Sequence, residues 1–280
     1  MSGVCFEEVT YRYPETVEPA IRGLTLDLEC GEISWLFGPA GAGASTLLAL
    51  ASGAAPRHLG GIVSGRIRTL GADPQNPGPL TGRVALLLPS PTLQLSGVAN
   101  TVWEEVAFTP ANLGWPRSRI VAAVDRSLTR LAVNHLRDRH PGTLSGGETR
   151  RVMLAALAVT SPDLWLLDEP ALALDDAGRS QLVTLLREEA RRGAAVVVAS
   201  EDADLFAPVA HRLVFLSGGR VIADGRPGEV LRSTNRSGGS AGSTSVALLA
   251  EAIRALRPDS PRTMGPLPVF TEEFLERWRR

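Results

Sequence analysis

The sequence contains no lysine. All 29 basic residues in this chain of 280 are arginine. A general drift from lysine to arginine preserves charge, so an uncharged residue where chemistry calls for a cation marks loss of the charge itself. A basic excess is missing too, since 30 acidic residues leave a net charge of −1. A basic stripe is the electrostatic footprint of a nucleic-acid binder, and without one no nucleic-acid partner is expected. The two cysteines, Cys5 and Cys30, are too few for a disulfide framework and suit a reducing compartment, each as a small residue in or beside a strand. The four histidines, His58, His135, His140 and His211, follow none of the usual zinc spacings and read as surface or core residues. Long hydrophobic runs are absent: "VALLL" and "AAVVVA" fall far short of the roughly 20 residues that cross a bilayer, and no charged-then-apolar leader opens the chain. The expectation is a soluble chain, or one held at a membrane through a partner.

What is present is a 44% hydrophobic content arranged in short blocks. "ISWLF" (33–37), "VALLL" (84–88), "LWLL" (164–167) and "AAVVVA" (194–199) are apolar on every side, which suits strands buried on both faces of a parallel sheet covered by helices. Helical patterns lie between them. Residues 117–131, after Pro116, put Ile120, Val121, Val124, Leu128 and Leu131 on one stripe. Residues 178–192 do so with Leu182, Leu185 and Leu186, with Arg191 and Arg192 at a helix C-terminus before Gly193. The first 35 residues alternate as strands do ("LTLDLE") and turn at Gly31. The fold class expected is α/β with a β-rich entry. Residues 233–245, "STNRSGGSAGSTS", form a Gly/Ser linker by composition, which makes 246–280 a separable helical extension.

Three motifs carry chemistry. "GPAGAGAST" (38–46) follows an apolar run and opens an apolar helix pattern. Gly38, Gly43 and Ser45 match the phosphate-binding pattern G-x-x-x-x-G-K-[ST], but Ala44 holds the lysine position. Gly38, Gly41 and Gly43 would let the backbone wrap a phosphate, Ser45 would offer its hydroxyl to Mg²⁺ and Thr46 a further phosphate contact. Alone, this stretch is explained equally well as a glycine-rich turn. "PDLWLLDEP" (162–170) is a buried strand ending in Asp168 and Glu169, at the strand end where parallel sheets bind ligands. There Asp168 would hold Mg²⁺ through water, and Glu169 would orient or deprotonate an attacking water. "LSGGETRRVMLAAL" (144–157) places Ser145, Gly146, Gly147 and Glu148 at the start of an amphipathic helix, an anion site by its N–H groups and dipole.

In this order the three motifs resemble the ATP-binding cassette family, whose signature LSGGQ reads LSGGE here. The resemblance implies a P-loop NTPase fold with a RecA-like core of mostly parallel sheet, an N-terminal antiparallel β subdomain, a helical signature subdomain at about 91–160 and a small C-terminal extension, the ATPase domain being 1–232. It implies ATP and Mg²⁺ as cofactors. It also implies an adenine-stacking role for Tyr13 in "YRYPE", a D-loop role for Asp175 in "ALALDD", and action of Ser145, Gly146 and Gly147 on the γ-phosphate of ATP held by the opposite subunit. "LQLSGVANTVWEEVAFTPANLGWP" (93–116) and the tail "LPVFTEEFLERW" are similar to the energy-coupling-factor and cobalt-importer branch, which implies a membrane coupling protein as partner and a place on the cytoplasmic face of the membrane.

Three positions depart from the family, all in the site built on this chain's own loop. The lysine is Ala44, the Q-loop glutamine after "VALLL" is Pro89, and the switch histidine after "VVVAS" is Glu201. Losing a charge-assisted phosphate contact costs about 1.5–3 kcal/mol, or roughly 10- to 100-fold in affinity. A carboxylate about 4 Å from a phosphate charge adds a repulsion of up to about 4 kcal/mol at an effective dielectric of about 20. The expectation is the degenerate half of a heterodimer, paired with a second ATPase subunit that has an intact loop, with Glu169 as a vestigial catalytic residue. A non-catalytic scaffold and a stand-alone ATPase remain as the other classes.

Overall fold

The computed structural model describes residues 2–230, so the linker at 233–245 and the extension at 246–280 lie outside the described residues. The alternation near the N-terminus builds an antiparallel pair. β1 (Ser2–Arg12) and β2 (Ile21–Glu29) set Cys5 opposite Asp27 and Phe6 opposite Leu26. Leu24, Leu26 and Leu28 are buried while Thr25 and Asp27 face outward, the period-two signature of a half-buried strand. The chain turns at Gly31 into β3 (Ile33–Phe37), buried at all five residues. α1 (Ala44–Ser52) follows, and β4 (Ile62–Thr69) then pairs with the other edge of β1 to complete a three-stranded antiparallel sheet.

β5 (Val84–Leu87) forms one edge of the second sheet, to which β3 also belongs. From there the chain leaves for three helices, α2 (Val102–Asn112), α3 (Arg117–Arg130) and α4 (Gly146–Ala158), and re-enters as β6 (Leu164–Asp168). α5 (Asp176–Arg191), β7 (Ala195–Ala199), the short α6 (Ala203–Phe206) and the hairpin of β8 (Arg212–Ser217) and β9 (Arg220–Gly225) complete the described chain. The six strands run in the order β5-β6-β7-β3-β8-β9, parallel except for the last antiparallel pair.

The all-apolar runs have a plain cause. Side chains alternate across a strand, and both faces of this sheet are covered. Trp35, Phe37, Leu167, Val198 and Phe215 pack on the side of α2–α5, whereas Leu36, Leu166, Val197 and Val214 pack against α1 and the small sheet. The helical stripes fall where the periodicity puts them, α3 within 117–131 and α5 around 178–192, with Leu182, Leu185 and Leu186 buried. α5 begins at Asp176 because the Asp175 carboxylate caps it, accepting from the Gly178 N–H at 2.8 Å. β4, β8 and β9 are additions that the run pattern did not single out. Cys5 lies in β1 and Cys30 just past β2, both as free thiols.

One charge cluster ties the helices to the core. Glu189 of α5, only 2% exposed, takes Arg130 of α3 at 2.6 Å and Arg192 at 2.7 Å. The indole N–H of Trp165 reaches the same carboxylate at 3.3 Å. Arg130 also holds Glu188 at 2.7 Å.

Candidate functional site

The parallel strands end at one rim of the sheet, and the loop after β3 runs along it. A Cβ on Gly38 would stand 2.3 Å from the Leu216 carbonyl oxygen of β8, so only glycine passes there. Gly43 caps α1 at φ 107°, a left-handed value that glycine adopts without steric cost. α1 has no side-chain cap. The first-turn N–H groups of Ala44, Ser45 and Thr46 have no intrahelical acceptor, and no other acceptor meets them among the described residues. Unpaired N–H groups at a helix start form a cradle for an anion.

A cleft of about 430 Å³ opens over this loop. It gathers Tyr13, residues 38–46, Pro89, Asp168, Glu169 and Glu201 from distant parts of the chain. Ala44, Pro89 and Glu201 therefore face one space, and among the described residues no arginine or histidine side chain lines it. Tyr13 stands over the start of α1, its hydroxyl 3.1 Å from the Thr46 hydroxyl and its ring edge-on to Tyr11 at 4.9 Å. Thr46 is buried, whereas Ser45 is exposed to the cleft.

The carboxylates occupy different settings. Asp168 ends β6 beside Ala199 of β7. Burial pushes its pKa up, opposed by a hydrogen bond with the Ser45 hydroxyl and by the Arg150 guanidinium. Glu169 turns the chain out of the strand at φ 46°. Its carboxylate accepts from the Ser200 hydroxyl at 2.9 Å and from the Glu201 backbone N–H at 2.9 Å. Burial raises the Glu169 pKa; those two hydrogen bonds lower it, and the Glu201 and Asp168 charges add to the rise. Both Glu169 oxygens are thus engaged by the loop after β7.

Arg150 and Ser200 were not legible as site residues. Arg150 is 3% exposed on α4. It donates to the Pro89 carbonyl at 2.6 Å and to the Glu169 carbonyl at 2.5 Å, while its Nε finds no partner among the described residues. Its signal in the sequence is a charge on an apolar stripe, since Arg150, Met153, Leu154 and Leu157 keep the i, i+3, i+4, i+7 spacing of a buried face. Gln94, the glutamine nearest Pro89, is bound to the end of β5: it accepts from Leu88 N–H at 2.7 Å and donates to Leu86 carbonyl at 2.8 Å.

Ser145, Gly146, Gly147, Glu148 and Asp175 do not line the cleft. Ser145 caps α4 by accepting from Glu148 N–H at 3.3 Å, and Glu148 accepts in return from Ser145 N–H at 2.8 Å, a reciprocal capping box. The Ser145 N–H and hydroxyl hold the Glu148 carboxyl below the usual range, and Arg139 adds to this from 3.2 Å. Ser145 and Gly146 are exposed. A Cβ on Gly147 would come within 2.7 Å of the Ala173 carbonyl, so the turn rests directly on the segment leading to Asp175. Among the described residues no cluster of three or more potential ligands is arranged to hold a metal, and no helix is long and apolar enough to cross a membrane.

Residues 21–172 match a family model described as ABC transporter. Over 262 residues the chain is 37% identical to the cobalt import ATP-binding protein CbiO of Rhodobacter capsulatus, which covers 93% of this chain and 92% of that protein. It is 32% identical over 232 residues to the energy-coupling factor transporter ATP-binding protein EcfA of Methanothermobacter thermautotrophicus, covering 80% and 71%. The solved structure of cbiO1 from Clostridium perfringens, described as part of the ABC transporter complex cbiONQ, matches with a TM-score of 0.71 at 28% identity, across 93% of this chain and 96% of that one.

Proposed function

This chain belongs to the ABC transporter family, and from that premise we propose that it is the weaker ATP-binding half of a paired ATPase driving an energy-coupling-factor-type importer. The observation that carries this reading is the convergence of Ala44, Pro89 and Glu201 on one cleft without a cationic side chain, while the Ser145 turn stands outside that cleft and exposed. A homodimer of such chains would repeat the deficits in both sites. Paired with a lysine-bearing ATPase, the same chain completes one working site and contributes one weak one.

The N–H groups of residues 44–46 bind phosphate oxygens, and the Tyr13 ring packs on adenine. Ser45 and Asp168, which line the cleft together, would hold Mg²⁺, whose charge offsets the phosphates. Without the lysine, binding weakens by about 1.5–3 kcal/mol, and the Glu201 carboxylate opposes the terminal phosphate. Glu169 accepts two hydrogen bonds from its own fold, which hold its carboxylate against the loop after β7. In the other site, the Ser145 hydroxyl and the N–H groups of Gly146 and Gly147 approach the terminal phosphate of the partner's ATP. Residues 93–116 face the membrane coupling protein, which keeps the pair on the cytoplasmic face of the membrane. Cobalt is the cargo named for the R. capsulatus relative; for this chain the solute is chosen by a separate membrane component.

The test is a pair of substitutions in the reconstituted heterodimer. Ser145→Arg is expected to abolish ATP hydrolysis, and Glu169→Gln to leave it nearly unchanged. The reverse pattern overturns the asymmetric reading.

A further inference from the structure

Arg150 is a buried cation on the apolar face of α4, one turn beyond the Ser145-Gly146-Gly147 turn, whose first two residues are exposed. Burying a guanidinium is unfavourable unless its donors are met. Here they are met by two backbone carbonyls from separate loops, Pro89 after β5 and Glu169 after β6, with Nε left over. An apolar residue would fill the same stripe beside Met153 and Leu154 without that unpaired donor, so packing alone does not account for the arginine. Proline has no N–H and no polar side chain. The Pro89 carbonyl is therefore the residue's only polar handle, and Arg150 holds it.

Both gripped residues line the cleft. The segment after β6 is touched by α4 at two points, Arg150 on the Glu169 carbonyl and Gly147 against the Ala173 carbonyl. Glu169 (φ 46°) and Ala173 (φ 61°) both lie in the left-handed region, which is unfavourable for a non-glycine residue. This is a segment held in shape by its neighbours. The Glu169 side chain is bound in turn to Ser200 and Glu201 on the far side of the cleft. A continuous path of hydrogen bonds and packing thus runs from Glu201 through Glu169 and Arg150 to the start of α4.

We propose that Arg150 is a positioning residue that couples occupancy of this chain's own cleft to the presentation of the Ser145-Gly146-Gly147 turn to the partner's nucleotide. The inference rests on the reading of the cleft as a nucleotide site and of the turn as acting in trans. It gives the weak site a task other than hydrolysis: nucleotide there shifts the loops at Pro89 and Glu169, and the bidentate guanidinium carries the shift to α4. Lysine, a single-point donor, cannot grip both carbonyls in the same way.

The test is amide hydrogen exchange on the full chain with and without a non-hydrolysable ATP analogue and Mg²⁺. In the unsubstituted chain the analogue is expected to slow exchange at residues 145–149 by about fivefold, the low end of ordinary couplings. Arg150→Met, similar in length and uncharged, is expected to bind the analogue within about threefold of the original affinity, under 1 kcal/mol, and to lose the response at 145–149. Arg150→Lys is expected to restore part of it. A full response in Arg150→Met overturns the coupling role; should that variant not fold, a full response in Arg150→Lys does the same. If the analogue binds the unsubstituted chain and residues 145–149 do not respond, the coupling fails while the nucleotide reading stands. If millimolar analogue does not bind at all, the nucleotide reading itself fails and the coupling with it.

Discussion

In the proposed nucleotide site, Ala44 is the position that sets how tightly phosphate is held, and it is the one easiest to reverse. Its side chain is half-buried at the first turn of α1, beside N–H groups that lack acceptors among the described residues. Ala44→Lys is expected to raise affinity for Mg²⁺–ATP roughly 10- to 100-fold, the equivalent of about 1.5–3 kcal/mol for a charge-assisted hydrogen bond. Titration calorimetry on the full chain measures it, and an unchanged affinity would mean that Pro89 or Glu201 limits binding instead. The residues visible in the sequence were those whose type is dictated by backbone geometry or by a strand end. Gly38 and Gly43 have no substitute where they stand, and Asp168 follows a run of buried apolar residues. Arg150 was hidden because its importance comes from two carbonyls more than fifty and nearly twenty positions away from it in the chain. Ser200 was hidden because a serine after a strand carries no pattern of its own.

At the scale of elements, the start of α4 shows one local design meeting two demands. The Ser145–Glu148 capping box satisfies the helix end and leaves Ser145 and Gly146 exposed. Because Glu148 titrates below its ordinary value in the folded state, its contribution is present above the normal carboxylate range and disappears as pH falls through the folded value. Glu148→Ala is expected to lower stability by about 1 kcal/mol near neutral pH, typical of a lost cap interaction. The difference from the unsubstituted chain should shrink as pH falls below the ordinary glutamate value of about 4.3 and vanish below the lowered folded value, as thermal denaturation across pH would show. A difference that persisted in acid would assign the effect to packing. α3 and α5 were legible because their buried stripes repeat at helical spacing, and β3, β5, β6 and β7 because both faces of their sheet are covered. β4 was not, since most of its residues, Ile62 included, are exposed and give no alternation. β8 carries an apolar run, Leu213–Leu216, but so short a run does not by itself separate strand from buried helix.

Across the whole molecule, the Glu189 cluster joins the helices inserted between β5 and β6 to the sheet core. Glu189→Ala removes the shared acceptor of Arg130, Arg192 and the Trp165 indole. A loss of about 2–4 kcal/mol is expected, at or just below the range for breaking a buried ion pair because both arginines keep access to water. Denaturant unfolding would read it, and a change below about 0.5 kcal/mol, the ordinary surface value, would show the cluster to be ornamental. The layered architecture was legible from the order of strands and helices, but this junction was not, because it depends on which helix faces which across the core. The exposed turn at Ser145 has a consequence for heredity. In the asymmetric pairing, a mutation at Ala44 is felt in the polypeptide that carries it, whereas a mutation at Ser145 is felt in the nucleotide held by another gene's product. Two stretches of one chain then answer to different selective histories, and the signature turn can be maintained by selection on a protein to which it does not belong.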